Sequence, residues 1–249
     1  MLKVTHHGNL PSELFQRKPL NVFITEDAEL VWLNGIEARF KVNLQSIEKA
    51  PAEWALVGDR SGLFFRHPDK RKVELQNAAV YRRLRNGRKQ ALAKACGVRP
   101  DLRVLDALSG WGTDGLTLAG LGCDVLMVEN QPSICALALY RIQNFPHPVD
   151  VICDDIEKVL PYVTKDFFDV IFLDPLFGPH PKTAKSSLPM QVLSTIGSSC
   201  DIEKLLYQSM QCASSRVVVK RRRSDKSDIG MKPDWTITAK TIRFEIFET

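Results

Sequence analysis

Residues 103–129 decide the fold, and they read RVLDALSGWGTDGLTLAGLGCDVLMVE. The run Arg103–Ala107 is rich in β-formers and is typical of a buried strand, and a segment with three glycines follows it. A helical pattern then continues to Leu121, and a second apolar run, Val125–Glu129, ends on a carboxylate. The stretch therefore predicts a strand, a glycine-rich turn, a helix and a parallel second strand.

The same alternation of strand and helix patterns continues through the rest of the chain. Predicted strands lie at residues 149–153, 168–173 and 217–220, and predicted helices at residues 134–143, 156–162 and 201–212. Two final strands, residues 236–239 and 242–247, are predicted to pair antiparallel. This order implies an α/β fold, a doubly wound and mainly parallel sheet with helices on both faces. With its terminal antiparallel hairpin, the pattern resembles the Rossmann-like, seven-stranded sheet of class I methyltransferases, which use S-adenosylmethionine.

The beginning of the chain has a different character. Residues 1–72 are predicted to form a small β-rich α+β subdomain, and residues 73–249 the methyltransferase-like domain. Within the first part, Asn34-Gly35 lies between the alternating segments 29–33 and 36–42, which indicates a β-hairpin.

A second strand pair is predicted at residues 54–57 and 63–65, where a glycine-containing turn separates two apolar runs. Residues 73–96 then have a helical pattern that is broken near Asn86-Gly87. This basic helical segment leads into the main domain.

Positive charge is concentrated in two segments. The chain has a net charge of +5, yet residues 60–99 contain twelve Lys or Arg against two acidic residues, and residues 216–226 contain six against one. Two basic segments on an otherwise acidic chain suggest a polyanionic partner, although a solvated basic face is the alternative. With two cations from the loop after residue 177, the candidate RNA-binding residues are Arg82, Arg83, Arg85, Arg88, Lys89, His180, Lys182, Lys220, Arg221 and Arg222.

Several other classes of protein are disfavoured. The apolar runs are far shorter than the ~20 residues that a membrane-spanning helix needs. The N-terminus lacks the apolar region of a secretory signal. The six cysteines are scattered, without a C-x-x-C pair or a histidine at ligand spacing, so we expect reduced thiols, no metal site and a cytoplasmic location.

The glycines of the first turn, Gly110, Gly112 and Gly115, have the G-x-G-x-x-G spacing. This spacing allows a tight turn and a close approach of the backbone to a ligand, but both dinucleotides and S-adenosylmethionine use it. Glu129 ends the second strand, where a carboxylate can accept hydrogen bonds from both hydroxyls of a ribose. These residues predict a site for an adenosine-containing cofactor.

Asp154 and Asp155 end the third strand. An acid there can meet the amine of an adenine, but it can equally cap the helix that follows. A nicotinamide cofactor would also fit the glycines and Glu129. The chain shows no Tyr-x-x-x-Lys and no paired His and Arg for hydride transfer, so the methyl donor is favoured.

A fourth predicted strand ends in the segment 168–177, which reads FDVIFLDPLF. Proline lacks a donor N–H and restricts the residue before it, so Asp174-Pro175 ends the strand. Asp174 is therefore expected at the carboxyl end of the strand, where open α/β sheets bind ligands. An ordinary exit from a strand is the alternative reading.

A carboxylate beside an aromatic ring suits a nucleobase with an exocyclic amine. Phe177 would stack on the base, and Asp174 would accept an N–H of the amine, with help from the backbone carbonyl of Pro175 or Leu176. Because a sulfonium methyl group is already activated, the protein would contribute mainly orientation and electrostatic support. Asp174, Pro175 and Phe177 are the predicted catalytic residues, and core packing is the alternative for Phe177.

Five motifs carry a resemblance to a known family: Tyr81-Arg82-Arg83, Asp106-Ala107-x-x-Gly110-x-Gly112-x-Asp114, Glu129-x-x-Pro132, Leu173-Asp174-Pro175-x-Phe177 and Arg216-Val217-Val218-Val219-Lys220-Arg221. Over about residues 50–249, the chain resembles the RsmJ family of bacterial small-subunit rRNA guanine-N2 methyltransferases. The resemblance implies methyl transfer to the N2 amine of one guanosine in 16S rRNA, guanosine 1516 in the family. It implies cofactor contacts at Thr113-Asp114, Glu129-Asn130, Asp154-Asp155 and Asp174, besides Asp106, Gly110 and Gly112 of the first turn.

Two other functions stay open on the sequence. Methyltransferases of adenine N6 or of DNA bases use a similar acid-proline-aromatic segment, so the target base rests on the resemblance alone. A non-catalytic RNA-binding or ribosome-assembly factor could also retain the fold. The expected partner is 16S rRNA or the small ribosomal subunit.

Overall fold

A computed structural model describes residues 10–176 and 187–249. Its strands are β1 (Lys18–Ile24), β2 (Phe40–Ser46), β3 (Ala55–Asp59), β4 (Gly62–Arg66), β5 (Lys72–Val73), β6 (Arg103–Asp106), β7 (Asp124–Val128), β8 (Val149–Ile152), β9 (Phe168–Leu173), β10 (Ala213–Arg222), β11 (Trp235–Thr238) and β12 (Ile242–Glu248). Its α-helices are α1 (Ala78–Leu84), α2 (Ala91–Cys96), α3 (Thr113–Gly120), α4 (Pro132–Gln143), α5 (Ile156–Val159), α6 (Leu188–Ile196) and α7 (Ile202–Cys212).

The main sheet has seven strands in the order β11-β12-β10-β9-β6-β7-β8. Strands β6 to β10 pair in parallel, and β12 pairs antiparallel with both β10 and β11. The predicted Rossmann-like sheet with a terminal antiparallel hairpin is confirmed. The chain order reverses between β6 and β9, and open α/β sheets bind ligands at the carboxyl ends of the strands on either side of such a point.

Both faces of this sheet are buried, which explains its continuous apolar runs. Val104 and Phe172 point into one apolar cluster, whereas the neighbouring Leu105 and Ile171 point into the other. Helices α3 and α4 contribute to the first cluster, and α5 and α7 contribute to the second. Strand side chains alternate between faces, so each strand joins two layers of helices.

The helices largely follow the sequence pattern. The predicted helical segment 73–96 contains α1 and α2, with a 3-10 turn at Gly87–Lys89 between them. Helix α7 begins after Asp201, whose side chain accepts a hydrogen bond from the N–H of Lys204 at 3.1 Å. Helix α6 has no counterpart among the predicted elements.

The prediction of a hairpin around Asn34-Gly35 is wrong. Residues Leu30–Leu33 form a 3-10 turn, and β2 pairs in parallel with β1. Trp32 and Leu33 are adjacent and both buried, and Ile36 is buried one turn later. A helical turn brings residues three apart to the same side, so Leu33 and Ile36 pack together although no strand forms here.

The remaining strands of the first part form a five-stranded sheet in the order β2-β1-β3-β4-β5. The antiparallel pair β3 and β4 confirms the second predicted strand pair. Side chains of this sheet, such as Val22 and Phe65, share one apolar cluster with Leu137 of α4. The division of the chain at residue 72 stays a prediction.

In the described part of the chain, no helix is long and apolar enough to cross a membrane.

Candidate active site

A cavity of about 750 Å³ opens at the carboxyl ends of the central parallel strands. Each of the strands β6 to β10 contributes residues from its carboxyl end or from the loop directly after it. The predicted site residues that line the cavity are Arg83, Gly110, Thr113, Asp114, Glu129, Asn130, Asp154, Asp155, Asp174, Pro175, Lys220 and Arg222. Parallel pairing and the packing of α1 together assemble side chains that are as much as 139 positions apart, from Arg83 to Arg222.

The glycines of the first turn serve two different purposes. Gly110 and Gly112 have φ angles of +49° and +69°, which other residues rarely adopt. At Gly115, a Cβ atom would lie 2.6 Å from Sδ of Met127 and 2.8 Å from Oδ2 of Asp106. The first two glycines shape the turn, and the third lets α3 pack closely against β6 and β7.

Gly115→Ala is expected to destabilise the protein by about 1–3 kcal/mol, because the added methyl group overlaps Met127 and Asp106. Urea unfolding of the variant should show a lower midpoint. Gly122→Ala provides a contrast, since a Cβ there meets no atom within 4 Å, although its φ of +96° adds backbone strain. An unchanged midpoint for Gly115→Ala would contradict the packing role of this glycine.

Glu129 directly follows β7, and two backbone N–H groups donate hydrogen bonds to its carboxylate. Its Oε2 accepts a hydrogen bond from the N–H of Gly110 at 3.0 Å, and its Oε1 accepts one from the N–H of Gln131 at 2.8 Å. Burial raises the pKa of Glu129 to about 7, although these backbone hydrogen bonds favour the ionised form. Each oxygen keeps a further lone pair, so the carboxylate is able to accept hydrogen bonds from two neighbouring hydroxyls.

The two acids after β8 have separate contacts. Asp155 caps α5, since its Oδ1 accepts a hydrogen bond from the N–H of Glu157 at 3.0 Å. Asp154 pairs through Oδ2 with Nζ of Lys18 at 2.7 Å, which connects the first sheet to the cavity. The capping reading is confirmed for Asp155, and contact with an adenine stays a prediction. No sequence pattern connects Lys18 to this site.

Asp106 lies behind the glycine turn and not on the cavity wall. It is buried, and burial, with the nearby Asp114 and Asp174 carboxylates, raises its pKa well above the usual value. Burial therefore disfavours the ionised form of this carboxyl group. We expect it to support the turn from below, because it faces Gly115.

Arg141 of α4 braces the other side of the same turn. Its buried guanidinium donates to the backbone carbonyl of Trp111, to Oγ1 of Thr113 at 3.3 Å and to Oδ1 of Asn77 at 3.2 Å. All three acceptors are neutral, and burial lowers the pKa of Arg141 to about 10. Nothing in the pattern of α4 separates this residue from an ordinary surface arginine, so sequence reasoning missed it.

Asp174 and Asp114 share one ammonium group. Nζ of Lys220 lies 2.6 Å from Oδ2 of Asp174 and 2.7 Å from Oδ2 of Asp114, and Arg83 pairs with Oδ1 of Asp114. Burial disfavours the ionised Asp114, but the two cations outweigh it and lower its pKa to about 2. Burial raises the pKa of Asp174 to about 6, and Lys220 opposes this shift while Asp114 adds to it.

Two of the cations predicted to bind RNA are engaged inside the protein. Lys220 is 15% exposed and lies between the carboxylates. Arg221 points to the opposite face of β10, where its buried guanidinium pairs with Glu245 at 3.2 Å and with Asp225 at 3.0 Å. The prediction that Arg221 meets RNA is corrected, because side chains alternate along a strand and a run of cations cannot share one face.

The other predicted cations fall into three groups. Arg83 and Arg222 line the cavity. Arg82 and Arg85 on or beside α1, and Arg88 and Lys89 in the following turn, are exposed. His180 and Lys182 lie outside the described residues, as does the predicted stacking ring Phe177.

Helix α6 and the loop after it form one wall of the cavity through Met190, Leu193 and residues 197–201. Sequence reasoning missed this helix. Its signals were Pro189 in the first turn and apolar residues at helical spacing, Leu193 and Ile196 among them.

The fold and the cavity define a class of protein, the class I methyltransferases that use S-adenosylmethionine. A SAM-dependent methyltransferase from Neisseria gonorrhoeae superposes with a TM-score of 0.71, covering 92% of this chain and 95% of that chain at 24% identity. The family model described as "Putative SAM-dependent methyltransferase" matches residues 38–249.

Relatives named "Ribosomal RNA small subunit methyltransferase J" define the family more closely. The relative from Legionella pneumophila strain Corby is 35% identical over 219 residues, which are 83% of this chain and 88% of the relative. The one from Nitrosococcus oceani is 36% identical over 191 residues, 70% of this chain and 74% of the relative. The chain belongs to the ribosomal RNA small subunit methyltransferase J family.

S-adenosylmethionine is the cofactor of this protein. The cavity has the volume for it, and the orientation of Glu129 fits a ribose. Ser109 lines the cavity as well, and its hydroxyl is buried without a partner among the described residues. When bound, the cofactor supplies an activated methyl group.

Proposed function

We propose that the protein methylates the exocyclic N2 amine of one guanosine in 16S rRNA, guanosine 1516 if the family target applies, in the cytoplasm. The observation that carries this proposal is the position of Asp174-Pro175, which follow β9 in the wall of the cavity that fits the methyl donor. The similarity to relatives named as small-subunit ribosomal RNA methyltransferases supports the choice of substrate.

In this proposal the cavity residues have distinct tasks. Glu129 and the glycine turn hold the cofactor, and Asp174 accepts an N–H of the target amine. Nζ of Lys220 donates to Oδ2 of Asp174, and Oδ1 is proposed as the oxygen that accepts from the substrate amine. Phe177 is proposed as the stacking ring for the base. Rate enhancement then comes mainly from holding the amine in line with the methyl group.

The exposed cations of the helical segment support an RNA substrate. Arg82, Arg85, Arg88 and Lys89 are close in sequence and all exposed, and Arg83 of the same segment reaches Asp114 in the cavity. The basic segment therefore adjoins the cavity. An RNA strand that delivers a base to Asp174 would pass these cations, which would contact its phosphates.

Replacing Arg82 and Arg85 together by alanine is expected to weaken RNA binding and to flatten its salt dependence. Each lost phosphate contact should lower the slope of log K against log salt by about 0.7–0.9. Filter binding or fluorescence anisotropy with a 16S rRNA fragment, over a series of salt concentrations, measures this slope.

Lys165→Ala is the matched control for that pair. Lys165 is also exposed, but it precedes β9 and lies at the opposite edge of the sheet from the cavity. Its replacement should leave both affinity and slope unchanged. Equal slopes for the Arg82/Arg85 variant and the wild type would mean that this basic segment is only a solvated face.

Nucleoside mass spectrometry of ribosomal RNA from a strain that lacks the gene tests the proposed function. Loss of one N2-methylguanosine, restored by the wild-type gene and not by Asp174→Ala, is the expected result. Loss of an N6-methyladenosine would instead identify adenine as the target. An unchanged set of modified nucleosides, with RNA binding retained, would favour a non-catalytic factor.

A further inference from the structure

The register between β9 and β10 places Lys220 next to Asp174. Val219 of β10 pairs with Leu173 of β9, so Lys220, the next residue of β10, lies beside Asp174, the first residue after β9. The ammonium group is 15% exposed and touches both Asp174 and Asp114. A cation this enclosed is poorly placed to meet a phosphate of the RNA backbone.

The charges around Asp174 leave it dependent on Lys220. Arg83 pairs with Asp114 from the other side, and burial raises the pKa of Asp106 behind them well above its usual value. Within residues 10–176 and 187–249, Lys220 is the only cation that pairs with Asp174. Two carboxylates and two cations therefore form a balanced chain, Arg83–Asp114–Lys220–Asp174.

We propose that Lys220 is a positioning residue for methyl transfer, an inference that rests on the proposed function. Lys220 keeps Asp174 ionised and occupies its Oδ2, so that Oδ1 points to the substrate amine as a hydrogen-bond acceptor. Asp114 anchors the ammonium group between the cofactor turn and Asp174. Lys220 itself donates no proton to the reaction and touches neither reacting atom.

The charge chain determines what happens when Lys220 is lost. In Lys220→Met, two neighbouring carboxylates remain, and Arg83 pairs only with Asp114. Asp174 then takes up a proton, because close carboxylates cannot both stay ionised in a buried site. A protonated Asp174 is a poor acceptor for the amine, so activity at neutral pH falls and recovers as the pH rises.

The primary experiment is the pH profile of kcat with saturating S-adenosylmethionine and 16S rRNA or small subunits. In the profile of Lys220→Met, the fall of kcat on the acid side is expected to be centred at least about one pH unit higher than in the wild type. The reason is that an opposite charge at this distance shifts a carboxyl pKa by ~1–3 units. Lys220→Arg keeps the charge and should keep the limb near that of the wild type.

Asp114→Asn tests whether the acid limb of the kcat profile can also be shifted in the opposite direction. With one carboxylate removed, Lys220 and Arg83 act on Asp174 without a competing anion, so the acid limb should move down instead of up. A residue that merely stabilises the fold would shift neither limb. Thermal unfolding and S-adenosylmethionine affinity are measured for every variant, and Lys220→Arg and Asp114→Asn keep the test valid if Lys220→Met does not fold.

A second measurement requires no activity. Carbon-13 NMR of the cofactor-free protein, with Asp174→Ala to assign the signal, follows the titration of the Asp174 carboxyl, which should move up in Lys220→Met and down in Asp114→Asn. Lys220→Met could instead leave the titration of Asp174 and the pH profile of kcat unchanged and lower the salt dependence of RNA binding. That result would overturn the proposal in favour of a contact between Lys220 and a phosphate. A wild-type protein that methylates no RNA would refute the proposed function, whereas the NMR titration would still test the link between Lys220 and Asp174.

Discussion

Asp174→Ala is expected to lower kcat for RNA methylation by about 10²–10⁴-fold, the range found when a positioned acid or base is removed. The carboxylate is proposed to accept the N–H of the target amine, and alanine offers no acceptor. Lys220 keeps Asp114 as a partner in the variant, so no uncompensated charge remains. Single-turnover transfer of a labelled methyl group to 16S rRNA measures the effect.

The fold and cofactor site should survive this substitution. Asp174 lies in the loop after β9, where it is about 26% exposed, so its loss opens no core cavity. Asp166→Ala is the matched control, because Asp166 is an exposed aspartate just before the same strand, at the opposite edge of the sheet. Wild-type turnover by Asp174→Ala would remove this residue from the proposed mechanism.

Glu129→Gln is expected to weaken S-adenosylmethionine binding by about 10–100-fold. The change replaces charge-assisted hydrogen bonds by weaker neutral ones, and a net loss of ~1.5–3 kcal/mol corresponds to this range. In the wild type, Oε1 and Oε2 both accept hydrogen bonds from backbone N–H groups. In Glu129→Gln, the amide NH₂ replaces one of these oxygens and faces an N–H donor, so that hydrogen bond is lost. Calorimetric titration with the cofactor measures the loss. Glu53→Gln, an exposed glutamate of the first part of the chain, should bind as tightly as the wild type.

The affinity should also depend on pH through Glu129. Its pKa of about 7 in the free protein means that a proton occupies the carboxyl below neutrality. The hydroxyls of a ribose favour the ionised form, so affinity is highest above pH 7 and falls as the pH drops below it, by at most about tenfold per unit. The difference between wild type and Glu129→Gln separates this carboxyl from titration of the ligand. Parallel pH profiles for the two proteins would exclude Glu129 from the cofactor site.

Local patterns were sufficient for most of the main domain, with α6 as the exception. The β6–α3–β7 unit could be predicted from apolar periodicity and glycine spacing, and Glu129 and Asp174 from their places at the ends of strands. Parallel strands bring their carboxyl ends to one edge, so residues distant in sequence could be expected to meet there. The first part of the chain was less predictable, because the pairing of β1 with β2 joins segments whose own patterns do not specify a partner.

The contacts around the site were beyond such patterns. Lys18 reaches Asp154, and Arg141 braces the glycine turn from α4, through side-chain contacts between elements far apart in sequence. The cations Lys220, Arg221 and Arg222 after Val219 were all predicted to contact RNA. Strand alternation instead sends Lys220 into the cavity and Arg221 into an ion pair on the other face.

By itself, the sequence determined the Rossmann-like class of the fold, the turn at Gly110 and Gly112, and the two carboxylates Glu129 and Asp174 at the cavity, because periodicity and strand ends are local properties of a chain. Only the tertiary structure decided which charges face each other. Lys220 lies between Asp114 and Asp174 because β10 pairs with β9 in one particular register. Register and burial also set the pKa of each carboxyl, and these depend on the whole packed domain.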